Sequence, residues 1–272
     1  MTAASASDGK VRIGIFGGSG FYSLLDDVRE VHVDTPFGAP SAPVTIGSVE
    51  GREVAFMPRH GVKHQFPPHV VPYRANLWAF RKLGVERVLG PCAVGSLQPS
   101  IKPGHFVVCD QLVDRTGGRA STFYDGPETT HVSFADPYCP TMRSAAISCG
   151  RELGLPLHER GTVVVIQGPR FSTRSESAYY AAQGWEVINM TQAPEAVLAR
   201  ELEMCYLNIS LNTDYDVGVA GETEPVSHEE VIRVFQENIG RLRGLLFRVV
   251  GALPEARDCP CATALANARF EV

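Results

Sequence analysis

The sequence has no hydrophobic run long enough to cross a membrane, because no stretch approaches the roughly 18 consecutive apolar residues of a span. Residues 1–10 also lack the apolar segment of a secretory signal, so we expect a flexible N-terminus and a cytoplasmic protein. Positive charge is not in excess either, since the net charge is -5. We therefore expect no membrane partner and no nucleic-acid partner, and a small-molecule ligand is favoured.

The cysteines do not form the even-numbered framework of a small secreted protein. There are seven, spread from Cys92 to Cys261, which favours a reducing compartment. Cys259 and Cys261 are separated by one residue, a spacing that suits a redox pair or one half of a metal site. No second Cys or His pair at zinc spacing accompanies them. We therefore expect no metal, and we interpret residues 253–272 as a C-terminal tail at the surface or against a neighbouring subunit.

Between residues 11 and 252, short β-branched runs alternate with segments of helical periodicity. This pattern predicts a single α/β domain with a central mixed β-sheet flanked by helices. The predicted strands are Val11–Phe16, Val44–Val49, Glu53–Pro58, Arg87–Gly90, Phe106–Asp110, Thr162–Ile166, Glu186–Asn189 and Tyr206–Asn212. The predicted helices are Tyr73–Leu83, Thr141–Leu153, Ser175–Gln183, Pro194–Met204 and Ser227–Val250. Because ligands bind outside the carboxyl ends of strands in open α/β sheets, polar clusters that follow strands are candidates for one cleft.

The first such cluster is the turn Gly17-Gly18-Ser19-Gly20, which follows the first predicted strand. Its backbone N–H groups and the Ser19 hydroxyl suit an anion, although a purely structural turn stays open. A dinucleotide-binding fold also begins with a glycine-rich turn. It needs a crossover helix of ten or more residues and an acid about 20 residues on, and residues 21–30 do not provide a convincing helix.

The second cluster contains Arg59 and His60, directly after a predicted strand. A guanidinium beside an imidazole suits a phosphate dianion, Arg59 through its forked donors and His60 through a ring N–H. The alternative is a loop of solvated charges. The position after a strand and the surrounding prolines favour a binding site.

Three further clusters follow later strands. Phe171 offers a flat face to a planar base or sugar, or is a core residue. Thr191 precedes the helix that Pro194 opens, where an anion is favoured. Asp214 and Asp216 are two residues apart, so an extended segment points both the same way, as acceptors for a heterocycle or as a metal pair. No His or third acid at ligand spacing supports the metal.

Together these segments resemble the methylthioadenosine phosphorylases of the trimeric nucleoside phosphorylase superfamily, from about residue 12 to residue 250. The matching segments are GIFGGSGFY, VDTPFG, PRHG with PYRANLWA, CAVGSL, DQLVDRT, FYDG, FADPYCP, IQGPRFSTRSES, NMTQAPEAVLARE and NTDYD. The resemblance implies a nucleoside phosphorylase-like fold, a homotrimer, and phosphorolysis of S-methyl-5′-thioadenosine to adenine and 5-methylthioribose 1-phosphate in purine and methionine salvage. Inorganic phosphate is then a co-substrate, and there is no cofactor.

The resemblance also implies roles for individual residues. The implied phosphate site is Ser19, Arg59, His60, Cys92, Ala93 and Thr191. The implied purine and ribose site is Phe171, Ser172, Asn189, Met190, Asp214 and Asp216, with Met190 against the ribose. The implied pocket for the 5′ substituent is Val231, Ile232 and His228, with His131 reaching in from the neighbouring subunit. The expected catalytic groups are Arg59 and His60, which position phosphate, and Asp214, which gives a proton or hydrogen bond to N7 of the purine.

Two positions depart from the family pattern. Cys92 stands where many members have a threonine, so one hydroxyl contact to phosphate is weak or missing. His228 stands where the methylthioadenosine enzymes often have an apolar residue, whereas the related 6-oxopurine phosphorylases have a histidine in a similar sequence that meets the 5′-hydroxyl. A purine nucleoside phosphorylase that acts on adenosine, inosine or guanosine is therefore the close alternative. A nucleoside-binding protein without turnover is the distant one.

Overall fold

The computed structural model describes residues 11–17, 28–217, 219 and 226–269. Its strands are β1 Ile13–Gly17, β2 Arg29–Val31, β3 Val44–Val49, β4 Arg52–Pro58, β5 Arg87–Leu89, β6 Cys92–Ser96, β7 Phe106–Val107, β8 Gln111–Arg115, β9 Leu157–His158, β10 Thr162–Ile166, β11 Val187–Asn189, β12 Cys205–Leu207 and β13 Ser210–Tyr215. Its α-helices are α1 Tyr73–Lys82, α2 Pro140–Glu152, α3 Arg174–Ala182, α4 Gln192–Glu201 and α5 His228–Ala252. Short 3-10 helices cover Pro68–Val70 and Pro260–Thr263.

The strands form two mixed sheets. The first has the order β12-β5-β1-β4-β3-β2, in which β12, β5, β1 and β4 are parallel, β3 is antiparallel to β4, and β2 is antiparallel to β3. Its central strand β1 is buried on both faces, with Phe16 stacked on Phe80 of α1 and Ile15 in the cluster that includes the leucines of α5. Burial on both faces explains why this strand is a continuous apolar run.

The second sheet has the order β8-β10-β11-β6-β13-β7-β9. The chain passes from the first sheet to the second at two neighbouring places, between β5 and β6 and between β12 and β13. The backbone N–H of Gly90 donates to the carbonyl of Leu207 at 2.8 Å, and the side-chain amide of Asn208 donates to the carbonyl of Gly90 at 2.8 Å. These bonds hold the two crossings side by side, so residues just beyond them reach the same region of the molecule.

Helix α5 is amphipathic, and it packs against the core and against β13 of the second sheet. Its C-terminal half buries Leu242, Leu245, Leu246 and Val249, a spacing of three and four residues that places them on one face. At its N-terminus, the hydroxyl of Ser227 accepts a hydrogen bond from the backbone N–H of Glu230 at 3.1 Å, which caps the helix. None of the helices in the described ranges is long and apolar enough to span a membrane.

The predicted helices are all present, and the predicted mixed sheet is present as two sheets. The single strand predicted at Tyr206–Asn212 is wrong, because Asn208 and Ile209 carry the chain from one sheet to the other. Strands β2, β6, β8 and β9 were not predicted, since their segments are short or poor in β-branched residues. The domain limits of 11 and 252 stay a prediction.

The interpretation of residues 253–272 as a surface tail is wrong for the part of the segment that carries the cysteines. Leu253, Cys259 and Cys261 are buried in the same core cluster as the leucines of α5. The guanidinium of Arg87 donates to the carbonyls of Pro254 and Ala256 at 2.9 and 2.8 Å, which fixes the segment against the first sheet.

Candidate active site

A cavity of about 590 Å³ opens at the carboxyl ends of β4 and β11, along β6, and beside β13 and α5. It is lined by Arg59, His60, His64, Pro67, Pro68, Cys92, Ala93, Val94, Gly95, Ile166, Pro169, Phe171, Ser172, Ile188, Asn189, Met190, Thr191, Thr213, Asp214, Asp216, His228, Val231, Ile232, Phe235 and Gln236. Its size and its mixture of apolar walls with a few polar groups are typical of a small-molecule site.

Arg59 is buried at the wall of this cavity and paired with Glu195 of α4. Its Nε and Nη2 donate to the two carboxylate oxygens of Glu195 at 2.6 and 2.8 Å, and its Nη1 donates to the carbonyl of Pro91 at 3.1 Å. Burial alone would lower the pKa of Arg59, and the Glu195 carboxylate more than offsets this and raises it above its ordinary value. The forked donors that the sequence assigned to phosphate are thus occupied by Glu195, and one N–H each on Nη1 and Nη2 has no acceptor within the described part of the chain.

His60 lies next to Arg59 and is held in one tautomer. Its Nδ1 is 2.8 Å from the carbonyl oxygen of Phe66, which accepts only, so Nδ1 carries the hydrogen. Burial, followed by the positive charge of Arg59, lowers the pKa of His60 to about 4 despite the bond to Phe66. The ring is therefore neutral near pH 7, and its Nε2 is a hydrogen-bond acceptor, not the donor that the sequence suggested. His64 stacks on the same ring with a centroid distance of 4.4 Å.

The thiol of Cys92 lies among amide donors at the start of β6. The side-chain amides of Asn189 and Asn208 donate to its sulfur at 3.1 Å each, and the amide of Gln192 lies 3.8 Å away. The sulfur is thus an acceptor for protein groups, and the missing hydroxyl contact to phosphate stays a prediction. The Oδ1 of Asn189 is buried without a hydrogen-bond partner in the described part of the chain.

Thr191 is the residue directly before α4, and its hydroxyl does not cap the helix. Ala193 has non-helical dihedral angles, so the regular helix begins at Pro194, as the sequence predicted. The guanidinium of Arg119 fixes this segment from behind by donating to the carbonyls of Met190, Ala193 and Gln167 at 2.8, 2.6 and 2.6 Å. Arg119 thereby ties the segment after β10 to the segment after β11.

Asp214 and Asp216 line the cavity because β13 contains a β-bulge. The pairing of β13 with β6 shifts by one residue at Thr213, so Thr213 and Asp214 both face the cavity although they are adjacent in sequence. The strand continues to Tyr215, three residues beyond its predicted end. Ser177 of α3 donates to Asp216 Oδ2 at 2.5 Å, and burial raises the pKa of Asp216.

The carboxyl group of Asp214 is 7% exposed. Burial, together with the charges of Asp216 and Glu230, raises its pKa to about 7, against the opposing effect of the Thr213 hydroxyl. That hydroxyl lies 2.8 Å from Asp214 Oδ2 and 3.2 Å from the carbonyl of Val94, so it has an acceptor in either protonation state of the acid. Asp214 therefore exchanges a proton near neutral pH, as a general acid must.

The loop between β10 and α3 places Phe171 and Ser172 at the cavity. Thr173 and Glu176 form a capping box at the start of α3, and Arg170 donates to both oxygens of Glu176 at 2.7 Å. The bond from Arg170 and the backbone N–H of Thr173 lower the pKa of Glu176 to about 2. With its loop anchored in this way, Phe171 stays 38% exposed, so it is a wall of the cavity and not a core residue.

The first turns of α5 form the remaining wall. Val231 and Ile232 are partly buried, Phe235 is 5% exposed, and all three line the cavity. His228 is exposed but still belongs to the lining, which places it at the rim. Ser227 caps the helix, so the ring of His228 is not used as a cap.

The structure brings together nearly all of the candidate site residues. The exceptions are Ser19, which lies outside the described residues, and His131, which is exposed and does not line this cavity in its own chain. Glu195, His64, Gly95, Arg119 and Phe235 were missed. Only Glu195 carried a signal, as an acid in the first turn of a helix whose other residues are mostly apolar.

The chain matches the family model of the phosphorylase superfamily over residues 12–251. It is 56% identical over 266 residues to a purine nucleoside phosphorylase of Streptomyces coelicolor, with 94% of this chain and 95% of that protein covered. It is 54% identical over 254 residues to an S-methyl-5′-thioadenosine phosphorylase of Pyrococcus horikoshii, with 93% and 97% covered. A crystal structure of methylthioadenosine phosphorylase from Schistosoma mansoni with adenine matches with a TM-score of 0.90 at 34% identity, covering 96% of this chain and 99% of that one. The chain therefore belongs to the phosphorylase superfamily, as its motifs predicted.

Proposed function

We propose that the protein catalyses phosphorolysis of S-methyl-5′-thioadenosine to adenine and 5-methylthioribose 1-phosphate, a pentosyl transfer in purine and methionine salvage. The observation that carries this proposal is a buried carboxyl group, Asp214, with a pKa of about 7, in the same cavity as anion-compatible donors. An acid poised near neutral pH suits a reaction in which a purine leaves and must be protonated. Relatives that bear this activity by name agree with the proposal.

The phosphate side of the site is formed by Arg59, His60 and Thr191. Arg59 has two N–H groups beyond those that Glu195 and Pro91 use, and Thr191 offers a hydroxyl in the segment before Pro194. Because Nε2 of His60 is an acceptor, it takes the single O–H of a monohydrogen phosphate. We propose that these contacts hold the nucleophilic oxygen below the anomeric carbon, which is an orientation effect.

On the purine side, the protonated Asp214 donates to N7, and Asp216 reads the 6-amino edge. Phe171 and Met190 cover the flat faces of base and ribose, with Ser172 beside them. The buried Oδ1 of Asn189 has no partner among the described residues, and a ribose hydroxyl would satisfy it.

In the reaction, an oxygen of phosphate forms a bond to C1′ while the bond from C1′ to N9 breaks and its electron pair moves into the purine. The proton of Asp214 goes to N7, so adenine leaves neutral. The proton of monohydrogen phosphate, held at His60 Nε2, is released to solvent, and Asp214 is protonated again from solvent. A general acid in this role contributes about 10²–10⁴-fold.

For the 5′ group, Val231, Ile232 and Phe235 supply an apolar surface that fits a methylthio group. We further propose that the enzyme is a cytoplasmic homotrimer in which His131 of one subunit completes the site of its neighbour. The seven cysteines, all without a disulfide, suit the reducing cytoplasm.

Purine nucleoside phosphorolysis is the second candidate, favoured by His228 at the rim of the cavity and by the name of the Streptomyces coelicolor relative. A coupled assay with S-methyl-5′-thioadenosine, adenosine and inosine, each with and without phosphate, distinguishes the two. We expect phosphate-dependent release of adenine, fastest from S-methyl-5′-thioadenosine. Faster hypoxanthine release from inosine would favour the second candidate, and no base release from any of the three would refute both.

A further inference from the structure

Four cysteine sulfurs meet outside the lining of the cavity. They belong to Cys139, Cys205, Cys259 and Cys261, and the four Sγ atoms all lie within 4.8 Å of one another. The sulfurs of Cys205 and Cys259 are 3.3 Å apart. Each of the four is at most 9% exposed. None of them lines the cavity, so the cluster is separate from the proposed active site.

The cysteines come from three parts of the chain that the backbone fixes independently. Cys139 precedes α2, and its N–H donates to the carbonyl of Tyr206 at 2.9 Å. Cys205 begins β12, and its N–H donates to the carbonyl of Glu86 at 2.9 Å. Cys259 and Cys261 lie at the 3-10 helix Pro260–Thr263. The sulfurs are therefore brought together by the fold itself.

N–H donors and one guanidinium lie around the sulfurs. Backbone N–H groups of Met142 and Cys261 donate to the sulfurs of Cys139 and Cys259. The guanidinium of Arg257 lies beside Cys205, and its buried Nε–H has no hydrogen-bond acceptor in the described part of the chain. N–H donors and a positive charge around four sulfurs are what outer-shell groups of a metal–thiolate site provide.

The spacing of the sulfurs also fits a specific ion. In a tetrahedral tetrathiolate site the zinc–sulfur distance is about 2.3 Å, which puts neighbouring sulfurs about 3.8 Å apart. The Cys205–Cys259 separation of 3.3 Å and the upper limit of 4.8 Å for all pairs lie on either side of that value. The sequence does not reveal the arrangement, because Cys139 and Cys205 are distant from each other and from Cys259 in the chain and adjacent only in the fold.

We propose that Cys139, Cys205, Cys259 and Cys261 bind one structural Zn²⁺ ion. Each thiol gives up its proton to solvent, so four protons leave and the bound ion with its four thiolates carries a net charge of −2, which Arg257 and the N–H donors partly balance. The ion joins the segment after α5 to β12 and to the start of α2. All four ligand positions are filled by protein, so the ion is closed to substrate and has no part in phosphorolysis.

The first test measures zinc in the full-length protein, expressed with zinc in the medium and purified with a reductant and without chelator. We expect about one zinc per chain in the wild type and below about 0.1 in Cys205→Ser and Cys261→Ser. Cys149→Ser is the matched control, since Cys149 is also buried, lies on α2 and is outside the cluster; it should keep its zinc.

A second test needs no variant, and so decides the matter if the serine variants fail to fold. Titrating the wild type with a mercurial reagent in the presence of a zinc-sensitive dye should release about one zinc, and substitution with Co²⁺ should give the intense visible absorption of a tetrahedral tetrathiolate. Wild-type protein that contains no zinc and takes up no Co²⁺ would overturn the proposal. Peptide mapping that finds these cysteines joined in disulfides after purification under reducing conditions would also overturn it.

Discussion

Replacing Asp214 by asparagine is expected to abolish most of the activity and, at alkaline pH, to make the protein more stable. The ordinary pKa of an aspartate is 3.8, and that of Asp214 in the folded protein is about 7. Between these two values the folded chain keeps a proton that the unfolded chain has lost. The free energy of unfolding therefore falls as the pH rises from about 4 to about 7, and stays low above it.

The size of the effect follows from the same two pKa values. A pKa difference of one corresponds to 1.36 kcal/mol, so the difference of about three means that the ionised carboxylate costs the folded state about 4 kcal/mol. Asparagine has the same shape and no charge, so it removes this cost, and the bond from the Thr213 hydroxyl is already contained in the pKa of about 7. Above pH 7 the gain is about 4 kcal/mol, or roughly 8–16 °C in Tm for a chain of this length.

Two assays check this prediction. Thermal unfolding of wild type and Asp214→Asn at pH 4, 6 and 8 should show a Tm difference that grows with pH, while turnover of S-methyl-5′-thioadenosine falls by about a hundredfold or more. Wild-type kcat should decline above pH 7, because the protonated fraction of Asp214 then drops about tenfold per pH unit. The control is Asp136→Asn, which removes an exposed carboxylate and should change neither quantity.

A Tm difference that is constant with pH would refute the raised pKa. A variant that keeps more than about a tenth of wild-type turnover, with the pH-dependent stability as expected, would instead show that the acid is perturbed but is not the proton donor. The two outcomes therefore separate the electrostatics of the cavity from the proposed chemistry.

Three further changes test other parts of the site. Gly95→Ala places a Cβ 2.9 Å from Asp214 Oδ1, so the carboxyl group must shift, and kcat should fall about tenfold or more at nearly unchanged Tm. A normal kcat would show that the carboxyl group has room to move. In Arg59→Lys, the lysine cannot make both bonds to Glu195, so the KM for phosphate should rise about tenfold and Tm should fall. A drop in Tm alone would leave Arg59 a purely structural role. His228→Val should raise the ratio of kcat/KM for S-methyl-5′-thioadenosine to that for adenosine, but by less than about tenfold, because the ring is exposed at the rim. An unchanged ratio of the two kcat/KM values would remove His228 from the site.

Local patterns in the sequence predicted the parts of the fold that depend on local physics. Helix α5 was found because its buried leucines repeat at helical spacing, and the start of α4 because a proline suits the first turn. The clusters at Arg59, Phe171 and Asp214 were found because each follows a strand of an α/β fold. These features are set by neighbours in the chain and can be inferred one segment at a time.

Features set by distant segments were missed. The bond between Arg59 and Glu195 joins residues 136 positions apart, and it changes which donors of Arg59 are left for a ligand. The bulge at Thr213 depends on the pairing of β13 with β6, a strand without the β-branched run that marks most strands. The four-cysteine cluster requires the segment after α5 to pack against the core, which its loss of helical periodicity did not indicate.

The ion pair of Arg59 with Glu195 also implies an order of events in folding. Arg59 follows a strand of the first sheet, and Glu195 lies on the helix after a strand of the second, so both charges stay hydrated until the two sheets have docked. Closing so long a loop costs more chain entropy than pairing neighbouring strands, so this contact is expected late. With phosphate bound at Arg59 as proposed above, a chain that has folded only one sheet has no anion site, and phosphate should stabilise only the finished fold. Phosphate is therefore expected to slow unfolding while leaving the refolding rate unchanged, which stopped-flow measurements at several phosphate concentrations would show.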